Sequence, residues 1–166
     1  MKHRTRAFSS KSAQHLTLKA TRAFFLNSQS RRQVDAILKK YANRFHIRIY
    51  HRAIQLNHFH LVVLAKSASE LSNFLRAVSG VIAQIFTHSF KGKKKSFKFW
   101  LERPWNRIIN WGRDFRGVVN YVALNYLESI RAIPSRDLVK KGAMVSGNLP
   151  HLIQKAIDSG GTRFGA

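Results

Sequence analysis

The chain has 166 residues, 45% of them hydrophobic, and carries 30 Lys+Arg against 7 Asp+Glu for a formal net charge of +23. That apolar content suits one packed domain and excludes a disordered basic tail. The absence of cysteine excludes disulfides, thiolate metal sites and cysteine nucleophiles.

Residues 1–13 read as a flexible basic arm, and no apolar stretch follows that would make a secretory signal. His15-Leu16-Thr17-Leu18-Lys19-Ala20 alternates, which predicts a strand with Leu16 and Leu18 inward. From Ser30, Val34, Ile37, Leu38, Tyr41 and Phe45 recur at helical spacing. Residues 46–56 form a second predicted strand, irregular near Arg52–Ile54, with the 57–64 strand as its hairpin partner. Ser67-Ala68-Ser69-Glu70 has the pattern of a capping box. It opens a long helix through Leu71, Phe74, Leu75, Val78, Ile82 and Ile85, with Gly80 as its weak point.

A basic loop, Lys91 to Lys98, leads into Phe97–Trp111, which holds all three tryptophans, Pro104 and Arg107-Ile108-Ile109. This segment reads as a strand with a disturbed middle or a ragged hairpin. Asp114 is placed to cap a helix from Phe115 to about Arg131, and Pro134 ends regular structure. The order predicts an α+β, ferredoxin-like (split β-α-β) antiparallel sheet with helices on one face, followed by one further helix. The domain would span 14–134, with 135–166 a tail holding a short helix near His151–Asp158.

Asn57-His58-Phe59-His60-Leu61-Val62-Val63-Leu64 is the most informative run. Alternation sends Phe59, Leu61 and Val63 to one face and both imidazoles to the other. The helices would cover the first face and leave the histidine face for a ligand. Two neutral imidazoles side by side are half a metal site. A His-x-His-x-Asp-His metallohydrolase is excluded because Val62 stands where its Asp is needed.

Along the 115–131 helix, Phe115, Val118, Val119, Val122, Tyr126 and Ile130 fall in one packing stripe. Tyr121 lies off that stripe, with Asn125 at its border one turn away. Packing explains Tyr126 but not Tyr121. For Asn125 the competing reading is a helix-surface amide.

Asn57-His58-Phe59-His60-Leu61 taken with Tyr121-Val122-Ala123-Leu124-Asn125 resembles the single-tyrosine HUH transposases and their REP-associated relatives. The resemblance covers roughly residues 14–131 and includes the opening strand and Phe99-Trp100…Arg103…Trp105. It implies metal-dependent cleavage and rejoining of single-stranded DNA through a 5′-phosphotyrosine. Tyr121 would be the nucleophile, and His58, His60 and Asn125 would hold Mg²⁺ or Mn²⁺. Asn125 is shorter than the Gln many insertion-sequence members carry, and Tyr126 stands where the REP-associated relatives usually have Pro. The implied partner is single-stranded or hairpin DNA in the bacterial cytoplasm, near the nucleoid. Insertion-sequence relatives are homodimers that exchange the tyrosine helix, whereas REP-associated ones can act as monomers.

The charge points independently to nucleic acid. A membrane surface suits it less, since the basic residues form no single amphipathic helix and no apolar run spans a bilayer. No small-molecule substrate is implied. Phosphate contacts are expected from Arg4, Arg6, Lys11, Arg22, Arg31, Arg32, Lys91, Lys93, Lys94, Lys95 and Lys98. Trp100, Trp105 and Trp111, interleaved with Arg103 and Arg107, are candidates to stack unpaired bases. The alternative function is a non-catalytic basic DNA- or RNA-binding protein, domesticated or ribosome-associated.

Overall fold

A computed structural model describes residues 7–89, 97–134 and 149–160, without the side chains of 149, 159 and 160. Four strands form one antiparallel sheet: β1 (Ala13–Lys19), β2 (Arg48–Ile54), β3 (His58–Leu64) and β4 (Trp105–Ile109), in the order β2-β3-β1-β4. The helices are α1 (Ser28–Arg44), α2 (Ala68–Thr87), α3 (Arg113–Ser129) and α4 (Leu149–Gly160). The fold class is α+β, as the order of predicted elements implies. No helix among the described residues is long and apolar enough to cross a membrane.

The cross-strand register explains the two cores. Leu16 pairs with Leu61 and Leu18 with Phe59, and these join Val34, Ile37 and Leu38 of α1 and Leu71, Phe74, Val78 and Ile82 of α2 in the main core. Both helices are amphipathic at the predicted spacing. Asn27 caps α1 by accepting from the Ser30 N–H at 2.7 Å. The Ser67–Glu70 capping box forms as predicted, and α2 continues unbroken past Gly80.

The other sheet face is not open. Ala13, Ala53, Val62 and Ile109 pack there against Val118, Val119 and Val122 of α3. α4 then covers α3 through Ala156, beside Ala123, Leu127 and Ile133. A sheet this rich in apolar side chains on both faces needs a layer on each. The predicted face for a ligand is therefore reduced to the edge of α3.

Other local expectations shift. The irregularity in β2 falls between Ile49 and His51, not at Arg52–Ile54. The Phe97–Trp111 segment gives one isolated bridge, Ala20 with Trp100, and then β4. Asp114 is not the cap of α3. The chain turns into the helix at Gly112, whose φ of 90° suits only glycine, and Asp114 sits in the first turn. There it complements the helix dipole. Ile130 leaves the packing stripe and is 47% exposed, because the helix ends at Ser129.

His51 lies fully buried on the α3 face. Its Nδ1 accepts from the Arg52 N–H at 2.9 Å, so the proton is on Nε2, which has no partner among the described residues. Burial, aided by the Arg52 charge, pushes its pKa down to about 4. The unfolded chain then binds more protons than the native one between about pH 4 and 6.5, so stability rises with pH across that window. His51 alone should cost about 3 kcal/mol as pH falls from 6.5 to 4. Chemical denaturation across that range should show a shallower pH slope in His51→Leu; an unchanged slope would refute the assignment.

Candidate active site

Strand β3 places His58 and His60 on the α3 face, with ring centroids 5.0 Å apart and planes nearly perpendicular. Antiparallel pairing sets Lys19 opposite His58 and Thr17 opposite His60. The His58 Nδ1–H donates to Asn57 Oδ1 at 2.9 Å, because an amide oxygen only accepts. That leaves the lone pair on Nε2. His60 is 5% exposed, and its Nδ1 lies 3.1 Å from both Thr17 Oγ1 and His15 Nε2.

Burial, with the Lys19 charge, lowers the His58 pKa. Burial, with Arg107, pushes His15 down to about 4. Both rings are therefore neutral near pH 7, the state in which imidazole can ligate. Sequence reasoning misses His15 and Thr17 as site residues. The signal is present, since alternation puts them on one face of β1, but only the β1–β3 register places that face against His60.

α3 presents Tyr121 to the same spot. Its ring lies 5.5 Å from that of His60 and 6.0 Å from that of His15, both edge-on, and the residue is 39% exposed. Trp105, half exposed on the edge strand, meets His15 edge-on at 5.4 Å. Together they border an open cleft of about 440 Å³. Gly117 extends its floor by one turn of α3, and a Cβ there would touch nothing within 4 Å. Arg107 flanks the cleft and donates to Asp114 at 2.8 Å. That bond first, and the Asn110 N–H second, hold the Asp114 carboxyl below its usual range.

Asn125 is 3% exposed, so it is no surface amide. Its Nδ2 donates to the Tyr121 carbonyl at 2.7 Å, and its Oδ1 accepts from Gln55 Nε2 at 2.5 Å. Gln55 has no signal in the sequence. It follows the last residue of β2, outside any periodic pattern, and only the fold brings it to α3.

The predicted DNA contacts separate. Trp105 faces the cleft. Trp100 does not suit stacking: its Nε1 donates to Ser79 O at 3.0 Å, and its ring packs edge-on against Phe59 and Phe99. Trp111 is 48% exposed but tied to Lys11 O at 2.6 Å and to Tyr50 and Phe115. Lys11 and Arg103 are exposed, and Arg22 lies over Phe97 at 4.8 Å. Arg31 is engaged with the Leu26 and Ser129 carbonyls. Arg4, Arg6, Lys91, Lys93, Lys94 and Lys95 lie outside the described residues.

The family described as Transposase IS200 like matches residues 8–109. The chain belongs to this family. The matched segment holds β1 through β4, with His15, His58 and His60, and stops before α3. Among solved structures, a REP-associated tyrosine transposase bound to a REP hairpin superposes with a TM-score of 0.62 at 17% identity, over 100% of both chains. That likeness extends the shared fold across α3. A Deinococcus radiodurans R1 protein labelled a transposase aligns with a TM-score of 0.48 at 16% identity, over 76% of this chain and 98% of its own. No curated protein sequence matches.

If Gln55 holds the Asn125 amide, Gln55→Leu should destabilise the protein by about 1–3 kcal/mol, since it removes a bond to a buried polar group. Urea denaturation with an unchanged m-value checks this. Wild-type stability would show that the amide does not depend on Gln55.

Proposed function

We propose that this transposase cleaves and rejoins single-stranded DNA through Tyr121, beside a divalent cation held by His58 and His60. The observation that carries this reading is the half-exposed Tyr121 ring lying 5.5 Å from His60 at the mouth of an open cleft. A plain nucleic-acid-binding domain gives no reason for a tyrosine there.

Among the described residues no three His, Asp or Glu side chains gather as a metal cluster. The donor set of this proposal is two imidazoles with an amide oxygen, which would suit a borderline-to-hard divalent ion. His58 would ligate through Nε2, its Nδ1 being held by Asn57. His60 would use Nε2 as well, with Nδ1–H turned to Thr17 or His15, the outer contact that fixes a ligand's tautomer. Asn125 Oδ1, which accepts from Gln55, would be the third donor. A bound Mg²⁺ or Mn²⁺ would polarise the scissile phosphate and spread its developing charge.

The protein's own part is positional. Tyr121 loses its phenolic proton to solvent, and its oxygen attacks phosphorus. The new P–O(Tyr) bond replaces the P–O3′ bond, and the departing 3′ oxygen takes up a proton. The DNA 5′ end is then joined to Tyr121, and a 3′-OH attacking the same phosphorus reverses the exchange. One phosphodiester replaces another, so strand transfer needs no external energy source. The buried bond from Asn125 to the Tyr121 carbonyl fixes the turn of α3 from which the nucleophile projects.

Incubation with hairpin-bearing single-stranded DNA and Mg²⁺ or Mn²⁺ should give a covalent protein–DNA adduct on denaturing gels. Tyr121→Phe should abolish it, and EDTA or His58→Ala should weaken it. Binding without any adduct across many oligonucleotides would favour the non-catalytic reading. Trp105→Ala should weaken single-strand binding by about 1–3 kcal/mol, the cost of removing one base–ring stack, measured by fluorescence anisotropy. Equal affinity in the variant would remove Trp105 from the DNA path.

A further inference from the structure

A second concavity of the described surface lies apart from the cleft at Tyr121. It is a groove of about 610 Å³ between the start of α1, the end of β2 and the last turn of α3. Its composition is unusual for a solvated surface. Leu26 and Ile130 stand 62% and 47% exposed at its edges, with half-buried Tyr126 and buried Ile54 in its lining. Four arginines also line it, against a single carboxylate, Asp35.

The charges do not cancel. Asp35 is answered twice, by Arg52 and by Lys39 at 2.9 Å. Arg31 spans the groove from Leu26 O to Ser129 O, and its Nε is buried with no acceptor among the described residues. Arg32 and Arg131 are exposed at the rim, and neither side chain has a partner among the described residues. The groove thus offers an orphan donor, two uncommitted guanidiniums, an aromatic ring and aliphatic walls. An anion alone would not use the walls, and an apolar ligand would not use the arginines. A nucleotide uses both, with phosphate on the guanidiniums and base against the ring.

Its placement relative to the cleft is set by helix geometry. Tyr126 follows Tyr121 by five residues, about 140° around α3 and about 7.5 Å along it. The two tyrosines therefore mark two sides of one helix. We propose that this groove is a second binding site, which takes an unpaired nucleotide of the strand whose phosphate is engaged at Tyr121, so that the strand crosses α3. The inference rests on the reading of Tyr121 as acting on single-stranded DNA. A duplex stem would meet the rim arginines through phosphates alone and leave Tyr126 and the aliphatic walls unused.

The test is photochemical cross-linking with Tyr121→Phe protein, which keeps the strand uncut. Thymidine oligonucleotides of roughly 16 residues, long enough for a single-strand site, carry 5-iododeoxyuridine at one position at a time. Mass spectrometry should find adducts on Tyr126 from one position and on Trp105 from another. In the Arg32→Glu/Arg131→Glu variant, with melting temperature checked against wild type, affinity should fall at least tenfold. The slope of log K against log salt should shrink by roughly 2, one for each phosphate that no longer meets an arginine. Cross-links confined to the Trp105 side, or a wild-type salt slope in the double variant, would overturn the groove as a site. Wild-type protein that still forms the Tyr121 adduct while Tyr126 never cross-links would defeat this inference alone. Tyr126 cross-links without any Tyr121 adduct would instead defeat the proposed chemistry.

Discussion

Strand β3 is packed on both faces, and the rest of the molecule follows from that constraint. Phe59, Leu61 and Val63 enter the core under α1 and α2, while Val62 enters the one under α3. The two histidines share the face of Val62 and therefore share its desolvation. For His58, burial that would be a plain cost for a charged ring favours the neutral imidazole. A register slip of one residue would exchange Phe59 for His60 and lose both the main core and the site together. The metal-ligand candidates are thus positioned by the same hydrophobic alternation that folds the sheet.

Helix α3 turns this face into a site. Val118, Val119 and Val122 dock it on the sheet, and the docking leaves Tyr121 at the border between core and solvent. Asn125 is drawn inward instead, because Gln55 and the Tyr121 carbonyl satisfy its amide. A buried amide is tolerable only when so bonded, and once bonded it resists rotation. The arrangement gives Tyr121 an exposed ring on a fixed backbone, which is what the proposed attack on a bound phosphate would require. The Arg107–Asp114 pair adds little stability in so exposed a place. Its larger effect is to tie β4 to the first turn of α3.

The legible parts of the sequence are those with a local period. Alternation marks β1 and β3, the 3.6-residue repeat marks α1 and α2, and the angle of Tyr121 on α3 sets it apart without reference to any neighbour. What is not legible comes from partners distant in sequence. The second core is hidden because Ala13, Ala53, Val62 and Ile109 are scattered over four strands and form no stripe in any one of them. Trp100 has the composition of a stacking residue, but Ser79, on α2, takes its indole N–H. Asp114 satisfies the composition of a helix cap, yet Gly112 supplies the backbone angle that starts the helix, and the local pattern does not distinguish them.

The placement of charge bears on how so basic a protein can act selectively. A net charge of +23 draws any nucleic acid, duplex included, and by itself confers no preference for unpaired strands. Preference needs surfaces that a base can reach only when it is out of a helix. Trp105 beside the cleft is one such surface, an exposed ring at the edge strand within a few ångströms of the histidine face. Because it contacts His15, which also meets the Tyr121 ring, a base stacked there would lie on the Tyr121 side of the sheet. In the proposed function, electrostatic capture and aromatic stacking would then act in sequence: the first would concentrate DNA on the protein, and the second would admit only a strand already opened.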